Sequence, residues 1–395
     1  MPHRQPTTGP LLGLRILDLT RLLPGPLGTM LMADMGADVI KIEDSNAPDY
    51  VRVYPPHVNG ESANYMALNR SKRSVLLDYQ TPDGRDQFLD LVKTADVVVE
   101  QFRPGHLDRL GIGYAAGRAV NSRIIYVSVT GFGQTGPYAH LAGHDLNYIA
   151  LAGVLNLTGE SPDAIGQPTP PTIPGVQLAD IAGGSYGCVM ATLAAVYARE
   201  RTGEGQHVDV SMTDAVMPLL SVAYAGHAGG QSPERGTMPL SGGLPNYGVY
   251  RCNDGNYVAL GTLEPKFWQK FCTLIDKPDW LSFLLPTQPT QLDGFRAQIQ
   301  TVFGEKSRDE WTRFGLEHDI LITPVNTLDD LETDPHLMAR QMIVTQEHPV
   351  AGPFRSIGVP LKFLGTPAHP AWPAPTLGED TDDVLGPAPD DPPTT

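Results

Sequence analysis

The residues best suited to chemistry are a histidine and an aspartate, each placed where a predicted helix begins. His144 lies in the stretch Gly-His-Asp-Leu-Asn-Tyr, and Asp180 lies in the stretch Leu-Ala-Asp-Ile-Ala-Gly-Gly. The positive end of a helix dipole disfavours imidazolium, so a histidine there is expected to be neutral at neutral pH, as a general base must be. Such a pair could remove a proton from a carbon acid and return one to it.

Each of these two residues also has a plainer interpretation. His144 could be a loop histidine whose ring is bonded to the backbone. Asp180 could be the structural N-cap of a helix that begins at Ile181, where it would accept backbone N–H bonds and stay ionised. Capping alone does not require the small residues of the next turn, 182–184, whereas close approach of a ligand or another backbone does.

A second carboxyl group could assist Asp180. Glu264 stands between a predicted strand and a predicted helix that opens with Pro265, where a glutamate is often only a surface cap. It could instead point into an interdomain cleft beside Asp180. Two close carboxylates share a proton, so one of them would be neutral and could donate that proton opposite His144.

Basic residues cluster in two short segments, one around Lys72 and Arg73 and the other around Phe102 and Arg109. In an acidic chain these clusters could hold the phosphates of a ligand, with the Phe102 ring stacked on a base. The alternative is a pair of solvated loops.

The overall charge excludes several classes of partner. The 395 residues carry a formal net charge of −16, and 41% of them are apolar. This charge argues against binding to nucleic acid or to anionic membranes. No segment is expected to be long and apolar enough to span a bilayer, and the polar N-terminus is unlike a signal or transit peptide. We therefore expect a cytoplasmic protein with no nucleic-acid or membrane partner.

Metal and dinucleotide sites are not expected either. Cys188, Cys252 and Cys272 lie far apart without metal-ligand spacing, which predicts reduced and partly buried thiols. The turn after the first predicted strand carries Pro-Gly-Pro in place of Gly-x-Gly-x-x-Gly, so NAD or FAD binding is not predicted.

The order of predicted elements indicates an α/β fold. The predicted strands Arg15–Leu19 and Asp38–Ile42 flank a predicted helix, Leu27–Met35. The Pro-Gly-Pro sequence just before this helix is predicted to interrupt regular secondary structure. A βαβ unit of this kind implies a parallel, doubly wound sheet. The later predicted elements of this region are the helix Arg85–Thr94, the strands Asp96–Glu100 and Arg123–Thr130, the helices Asp145–Leu155 and Ile181–Glu200, and the strand Gly205–Ser211.

The composition changes after about residue 225, which predicts a second, smaller domain. Two predicted strands there form a hairpin turned at Asn253-Asp254-Gly255. Predicted helices follow at Pro265–Ile275 and Gln291–Phe303. The predicted organisation is a large Rossmann-like domain over 1–225, a small domain over 226–330 and a return of 331–395 to the large domain.

Taken together, these segments resemble the family III CoA transferases and their relatives of the α-methylacyl-CoA racemase branch. The motifs that carry the resemblance are Gly13–Leu19, Met35–Glu43, Asn69–Ser74, Ala95–Gly113, Thr130–Pro137, His144–Tyr148, Asp180–Gly184 and Arg201–Gln206. The resemblance implies a Rossmann-like large domain with a parallel sheet, a smaller α+β domain and an interlocked, ring-shaped homodimer. It also implies an acyl-CoA substrate, with no cofactor beyond its CoA moiety and no metal.

The resemblance implies roles for residues at the CoA site. Arg109 matches a family arginine that contacts a CoA phosphate. Asp44 stands where relatives often carry a basic residue, which departs from the pattern. The other residues expected to line the CoA site are Lys72, Arg73, Phe102 and Tyr148.

The resemblance favours one branch of the family. Transferases use an aspartate at the position of Asp180 as nucleophile, whereas racemases use it as acid or base. His144 matches the racemase histidine, which many transferases lack, and Glu264 matches the racemase glutamate. The resemblance thus implies a racemase or epimerase of 2-methylacyl-CoA thioesters, with these three catalytic residues.

Two alternatives stay open. One is a family III CoA transferase with a covalent intermediate on Asp180, and the other is a non-catalytic acyl-CoA-binding protein. His144 and Asp180 are 36 positions apart, which is longer than expected for the racemases and could reshape the acyl pocket.

Overall fold

The computed structural model describes residues 7–161, 167, 169–283 and 289–386. These residues form two compact units. The large unit takes the described residues of Met1–Val154, Pro174–Leu219 and Pro335–Thr395, and the small unit those of Leu155–Ile173 and Leu220–Asp334. The chain therefore enters the small unit twice, first with a segment that lies inside the predicted large-domain range 1–225.

Strands and helices are interspersed along the described chain. The strands are β1 (Arg15–Asp18), β2 (Asp38–Glu43), β3 (His57–Val58), β4 (Glu61–Ser62), β5 (Arg73–Leu76), β6 (Val97–Glu100), β7 (Ile125–Thr130), β8 (His207–Ser211), β9 (Tyr247–Arg251), β10 (Tyr257–Gly261), β11 (Ile322–Pro324), β12 (Ile343–His348) and β13 (Gly352–Ile357). The helices are α1 (Pro24–Asp34), α2 (Ala63–Asn69), α3 (Pro82–Thr94), α4 (His106–Leu110), α5 (Tyr114–Val120), α6 (Asp145–Leu151), α7 (Val154–Leu157), α8 (Gly187–Thr202), α9 (Met212–Val216), α10 (Ser221–Ala228), α11 (Pro265–Leu274), α12 (Pro289–Phe303), α13 (Arg308–Glu317), α14 (Pro335–Ala339) and α15 (Thr381–Leu385).

A six-stranded sheet forms the centre of the large unit, in the order β5-β2-β1-β6-β7-β8. Every neighbouring pair in it is parallel. The central strand β6 has the sequence Val-Val-Val-Glu and is buried along its length, as a parallel strand covered on both faces must be. The predicted α/β fold with a parallel sheet is confirmed.

The first helix begins earlier than the sequence pattern predicts. Pro24, Gly25 and Pro26, predicted as a break before a helix at Leu27, form the first turn of α1. Proline is tolerated there because the first N–H groups of a helix have no partner within it. A Cβ at Gly25 would come within 2.3 Å of the Thr20 side chain, so the turn packs closely on the loop after β1.

The long helix predicted over Ile181–Glu200 also begins earlier, and it changes type along its length. Ala179–Tyr186 is π-helical, and α8 continues from it until Gly203, which ends the helix in the left-handed conformation. The 24 residues Ala179–Thr202 are long and apolar enough to cross a membrane, contrary to the expectation from the sequence. In the structure they pack on α1, β7 and β8, and the core helix of a globular protein has the same composition.

The small unit contains an antiparallel sheet in the order β11-β10-β9. The hairpin predicted at Asn253-Asp254-Gly255 is confirmed, because β9 and β10 pair there and Gly255 has a φ of +83°. Large aromatic side chains from the helices fill the space beneath this sheet. They include Trp268, Phe271, Phe303 and Trp311.

A buried ion pair links the last residue of β1 to the residue before β5, beneath α1. Asp18 and Lys72 are fully buried, and Asp18 Oδ2 lies 2.9 Å from Lys72 Nζ. The hydroxyls of Thr20 and Thr29 donate to the same carboxylate at 2.5 and 2.7 Å. Burial alone would raise the pKa of Asp18, but Lys72 and Lys41 outweigh it and lower the pKa to about 2. Asp18 is therefore an internal anion at all ordinary pH values.

Removing one partner of this pair should destabilise the fold strongly. We expect Asp18→Ala to lower the free energy of unfolding by about 3–5 kcal/mol, because it leaves the Lys72 charge buried and uncompensated. The double variant Asp18→Leu with Lys72→Met should recover most of that loss. Urea unfolding at neutral pH measures both, and an Asp18→Ala protein as stable as the parent would contradict the expectation.

The same pair predicts acid sensitivity with a definite sign. The pKa of Asp18 is lowered in the folded state, so its contribution to stability is present above the unfolded value of about 4 and is lost as the pH falls toward 2.

Candidate active site

A cavity of about 580 Å³ opens in the large unit at the C-terminal ends of β6 and β7. Its size is typical of small-molecule sites, and ligands of open α/β sheets bind at the carboxyl ends of the strands. Its polar and aromatic lining includes Gln101, Phe102, Arg103, Thr130, Phe132, His144, Tyr148 and Asp180. The histidine and the aspartate singled out in the sequence thus line one cavity.

His144 directly precedes α6, as the sequence predicts. Its backbone is extended, with φ −128° and ψ 175°, and its N–H donates to Asn147 Oδ1 at 3.0 Å. This bond from the third helical residue back to the capping residue fixes the entry of the chain into the helix. The residue is exposed and borders the cavity, so its ring is not turned into the hydrophobic interior.

The carboxylate of Asp145 caps the helix that carries Asp180. Asp145 Oδ1 accepts hydrogen bonds from Ala179 N at 2.7 Å and from Asp180 N at 3.0 Å. Asp180 lies inside the first helical turn, so the prediction that it caps a helix beginning at Ile181 is wrong. The physical reason is that the N-terminus of this helix packs on α6. The Asp145 carboxylate at the start of α6 accepts from the N–H groups that have no partner within the helix.

The Asp180 carboxyl group titrates near neutral pH. Burial raises its pKa, the nearby Asp145 carboxylate raises it further and His144 lowers it, with a result of about 6. Within the large unit the acidic neighbour of Asp180 is Asp145, a role that was not predicted for it from the sequence. A carboxyl group with this pKa can both accept and donate a proton near pH 7.

Tyr148 holds the loop that leads into α6. Its buried hydroxyl donates to Gly143 O at 2.5 Å, and its ring packs edge-on against Phe132 at 5.1 Å. A Cβ would come within 2.3 Å of the Tyr148 ring at Gly131 and within 2.7 Å at Gly143, so neither position has room for a side chain. Burial raises the pKa of Tyr148 to about 12, which keeps the phenol a neutral donor.

Cationic and aromatic side chains meet on the loop after β6. The Phe102 ring lies 4.8 Å from the His106 ring and 5.4 Å from the Arg21 guanidinium carbon. Arg103 lines the cavity beside Phe102, and Arg109 is exposed on α4. Burial lowers the pKa of His106, and the charges of Arg109 and Arg21 lower it further. Such a cluster can bind phosphate and stack on a base.

Lys72 and Arg73, predicted to line the CoA site, lie elsewhere. The three N–H donors of the buried Lys72 bond to three oxygens inside the large unit, so none remains for a ligand. Arg73 donates twice to Asp38 and borders a different cavity, at the N-terminal ends of β1 and β5. These placements contradict the predicted contacts. Lys72 is a core cation that must be paired there, and Arg73 is held by Asp38 at partly exposed positions.

Glu264 belongs to the small unit. It directly precedes α11, in which Pro265 takes the first position, and its side chain makes no capping hydrogen bond to that helix. Glu264 therefore occupies the cap position that the plainer interpretation predicts, but its side chain does not cap the helix. The residue is exposed, and its carboxylate is available for a role outside α11.

Two residues that shape the cavity were missed from the sequence. Asp145 was expected only to begin the helix after His144. Gln101 Nε2 donates to Arg21 O at 2.7 Å, and its Oε1 accepts from Gly25 N at 3.3 Å, which ties the cavity rim to α1. No local pattern signals either contact, because the partners lie 34 to 80 positions away along the chain.

Potential metal ligands are not grouped in the described part of the chain. No set of three or more His, Cys, Asp and Glu side chains that could hold a metal ion occurs among those residues. The three cysteines are free and buried, as predicted.

Comparison with known proteins assigns the family. Residues 11–381 match the model of CoA-transferase family III. Alpha-methylacyl-CoA racemase from Homo sapiens is 34% identical over 378 residues, which cover 94% of this chain and 92% of the racemase. Succinyl-CoA:glutarate CoA-transferase from Homo sapiens is 31% identical over 384 residues, which cover 95% of this chain and 85% of the transferase. A CaiB/BaiF family protein from Brucella suis has a TM-score of 0.81 and 32% identity, covering 95% of this chain and 98% of its own.

This chain belongs to CoA-transferase family III. The expected acyl-CoA substrate is consistent with that membership. The relatives include a racemase and a transferase at 34% and 31% identity, so membership alone does not select the reaction.

Two substitutions at Asp145 separate its two effects on Asp180. In Asp145→Asn the amide oxygen can still accept both N–H bonds while the like charge is gone, so the pKa of Asp180 should fall below about 6 with little change in stability. Asp145→Ala also removes the cap and should cost about 1 kcal/mol of stability. Carbon-13 NMR titration and chemical unfolding measure these effects. An unchanged Asp180 titration in Asp145→Asn would show that the charge does not reach Asp180.

Proposed function

We propose that this chain is a racemase or epimerase of 2-methylacyl-CoA thioesters. The observation that carries the proposal is a single cavity lined by the His144 imidazole and by the Asp180 carboxyl group, whose pKa is about 6. A proton on the α-carbon of a thioester is acidic enough to be removed when the resulting enolate is stabilised. An imidazole and a carboxyl group on one cavity can supply the base and the acid of that exchange.

The reaction needs two proton transfers at one carbon. His144 takes the α-proton from one face, the C–H electron pair becomes the enolate double bond, and the carbonyl π pair moves to the thioester oxygen. Protonated Asp180 then delivers a proton to the opposite face, and the thioester re-forms with inverted configuration. The two residues exchange roles for the other enantiomer, so the cycle consumes no oxidant or reductant.

The enolate oxygen needs hydrogen-bond donors, each worth about 3–4 kcal/mol. The N–H groups of Ala179 and Asp180 are already bonded to Asp145, so the start of that helix cannot supply them. The first turn of α6 follows directly after His144, which lines this cavity. Its N–H groups of Asp145 and Leu146 are the donors we propose for the enolate.

Other family positions complete the proposed site. Phe102 and Arg109 would bind the nucleotide end of CoA, next to Arg21 and Arg103. Glu264, whose side chain makes no capping bond to α11, is the further carboxylate that the family resemblance implies for the reaction.

We further propose that the protein acts as a homodimer. One stripe of α8 and the turn before it exposes Tyr186, Met190, Leu193 and Tyr197 at 49%, 70%, 37% and 66%. Their spacing of four, three and four residues places them on one helix face. A contiguous apolar face of this kind marks a protein interface, and this helix also carries Asp180 at its start.

CoA transfer between carboxylic acids is the second candidate. With a pKa of about 6 the Asp180 carboxyl group is mostly ionised at neutral pH, as a nucleophile must be. A carboxylate that attacks the thioester carbonyl would pass through an anhydride and an enzyme-bound CoA thioester. The transferase mechanism does not require an imidazole on the opposite side of the cavity.

Deuterium incorporation tests the proposed function. In heavy water the parent protein should exchange the α-hydrogen of a 2-methylacyl-CoA and invert its configuration, as followed by mass spectrometry. His144→Ala should lower exchange about 100-fold to 10,000-fold, because general-base catalysis contributes that much. His140→Ala, an exposed histidine that does not line the cavity, is the matched control and should exchange normally.

The same samples discriminate the second candidate. Hydroxylamine added with an acyl-CoA and an acceptor acid should convert Asp180 to a hydroxamate only if a covalent intermediate forms. A labelled Asp180 peptide without α-deuterium exchange would replace the racemase assignment by the transferase one.

The dimer is tested by placing charges on the apolar stripe. We expect the parent protein to sediment as a dimer and Met190→Glu with Tyr197→Glu to sediment as a monomer, because two carboxylates cannot be buried unpaired. Leu316→Glu is the matched control, since that leucine is 78% exposed in the small unit. A monomeric parent or a dimeric double variant would refute this interface.

A further inference from the structure

A polar row crosses the sheet behind the loops that line the cavity. Glu100, Ser128 and Asp209 are register partners on β6, β7 and β8, so their side chains share one face of the sheet. Glu100 is buried at 6% exposure, although it stands at the end of an otherwise apolar strand. The proposed reaction has no use for this carboxyl group, and a buried carboxyl group without an adjacent cation requires an explanation.

Glu100 is linked to the protein surface through its neighbour on β7. Ser128 is its register partner and favours the ionised form of the carboxyl group, and Ser128 Oγ lies 2.8 Å from Nε2 of His207. His207 is exposed on the edge strand β8 and stacks on Tyr114 at 5.5 Å. A serine hydroxyl can donate in either direction, so the chain from Glu100 to His207 can reverse and carry a proton between the buried carboxyl group and solvent.

Glu100 is also connected to the cavity. Its Oε2 accepts from Phe102 N at 2.7 Å, which anchors the 101–109 loop at its first turn. That loop carries Phe102, Arg103 and Arg109, the groups proposed to hold the nucleotide end of CoA. A charge on Glu100 therefore lies directly behind the binding surface for phosphates.

We propose that Glu100 is a positioning residue whose protonation, relayed through Ser128 and His207, tightens the hold of the 101–109 loop on the phosphates of CoA. The inference rests on the proposed use of a CoA thioester. An ionised Glu100 opposes the positive potential of Arg103 and Arg109, and a neutral Glu100 does not. Because the carboxyl group is buried, its charge is poorly screened and acts over several ångströms.

The groups that face Glu100 set the pH range of this effect. Burial raises its pKa to about 7, its two hydrogen bonds oppose the rise, and Asp108 on α4 and Asp209 on β8 add to it. Tyr126 on β7 is near enough that Glu100 helps to raise the pKa of that phenol. Burial lowers the pKa of His207, against the attraction of the same two aspartates. The carboxyl group is thus mostly neutral below pH 7 and mostly ionised above it.

Glu100→Gln is the decisive variant, because glutamine keeps the shape and hydrogen bonds of the protonated acid. Calorimetric titration with CoA should give the same Kd for parent and variant at pH 6. At pH 8 the variant should bind about threefold to tenfold more tightly than the parent. Because glutamine does not titrate, the pH dependence of CoA binding by the variant gives the contribution of the CoA phosphates themselves.

Two further proteins make the test specific. Ser128→Ala removes a hydrogen bond that favours the ionised form, so the loss of affinity should move to higher pH. Glu204→Gln removes an exposed carboxylate elsewhere and should follow the parent at both pH values. Equal Kd values for the parent and Glu100→Gln at pH 8, or an equal gain in Glu204→Gln, would overturn the inference.

The outcome is separable from that of the proposed reaction. CoA binding with the expected pH dependence, but without α-hydrogen exchange, would refute the racemase function and leave the role of Glu100 standing. Failure of the parent to bind CoA at any pH would refute both.

Discussion

The arrangement at the cavity depends on one carboxylate oxygen. Asp145 Oδ1 accepts hydrogen bonds from the N–H groups of Ala179 and Asp180, at the start of the helix that carries Asp180. Asp145 is itself the first residue of α6, directly after His144. Two helix starts are thereby fixed side by side, with their positive ends at one place in a chain of net charge −16. The bond also sets the chemistry, because the charge that holds the Asp180 helix is among the causes that raise the pKa of its carboxyl group.

The remaining supports act on the same loops. Tyr148 bonds to the carbonyl of Gly143, and glycine at positions 131 and 143 gives its ring room. Charged groups are divided between two tasks. Lys41 and Lys72 neutralise Asp49 and Asp18 in the interior, whereas the arginines near Phe102 stay at the cavity. An acidic chain can in this way present a local positive surface to a polyanionic ligand.

Local pattern predicted the fold well because the strands are short, apolar and bounded by turns. The Val-Val-Val-Glu strand and the hairpin at Asn253-Asp254-Gly255 are examples. The sequence did not show which charged side chains are buried in the interior and which lie at the surface. Lys72 and Arg73 look alike as part of a basic cluster, yet the first is a core cation and the second pairs with Asp38.

The candidate site was only partly predictable, because contacts between distant elements form it. His144 was placed correctly because its neighbours fix a helix start. Asp180 was assigned the wrong local role, since its cap comes from a residue 35 positions earlier. Which partner satisfies a helix N-terminus depends on packing between elements, and that information is absent from a local window.

The choice between the two reactions of this family reduces to a small displacement of the substrate. The α-carbon and the carbonyl carbon of a thioester are one bond, about 1.5 Å, apart. With its carboxylate opposite the carbonyl carbon, Asp180 is a nucleophile; opposite the α-carbon, it is an acid or base. The His144 imidazole contributes only to the second arrangement, because nucleophilic attack creates no proton for it to take. The presence of that histidine on the same cavity is thus the physical reason to favour proton transfer.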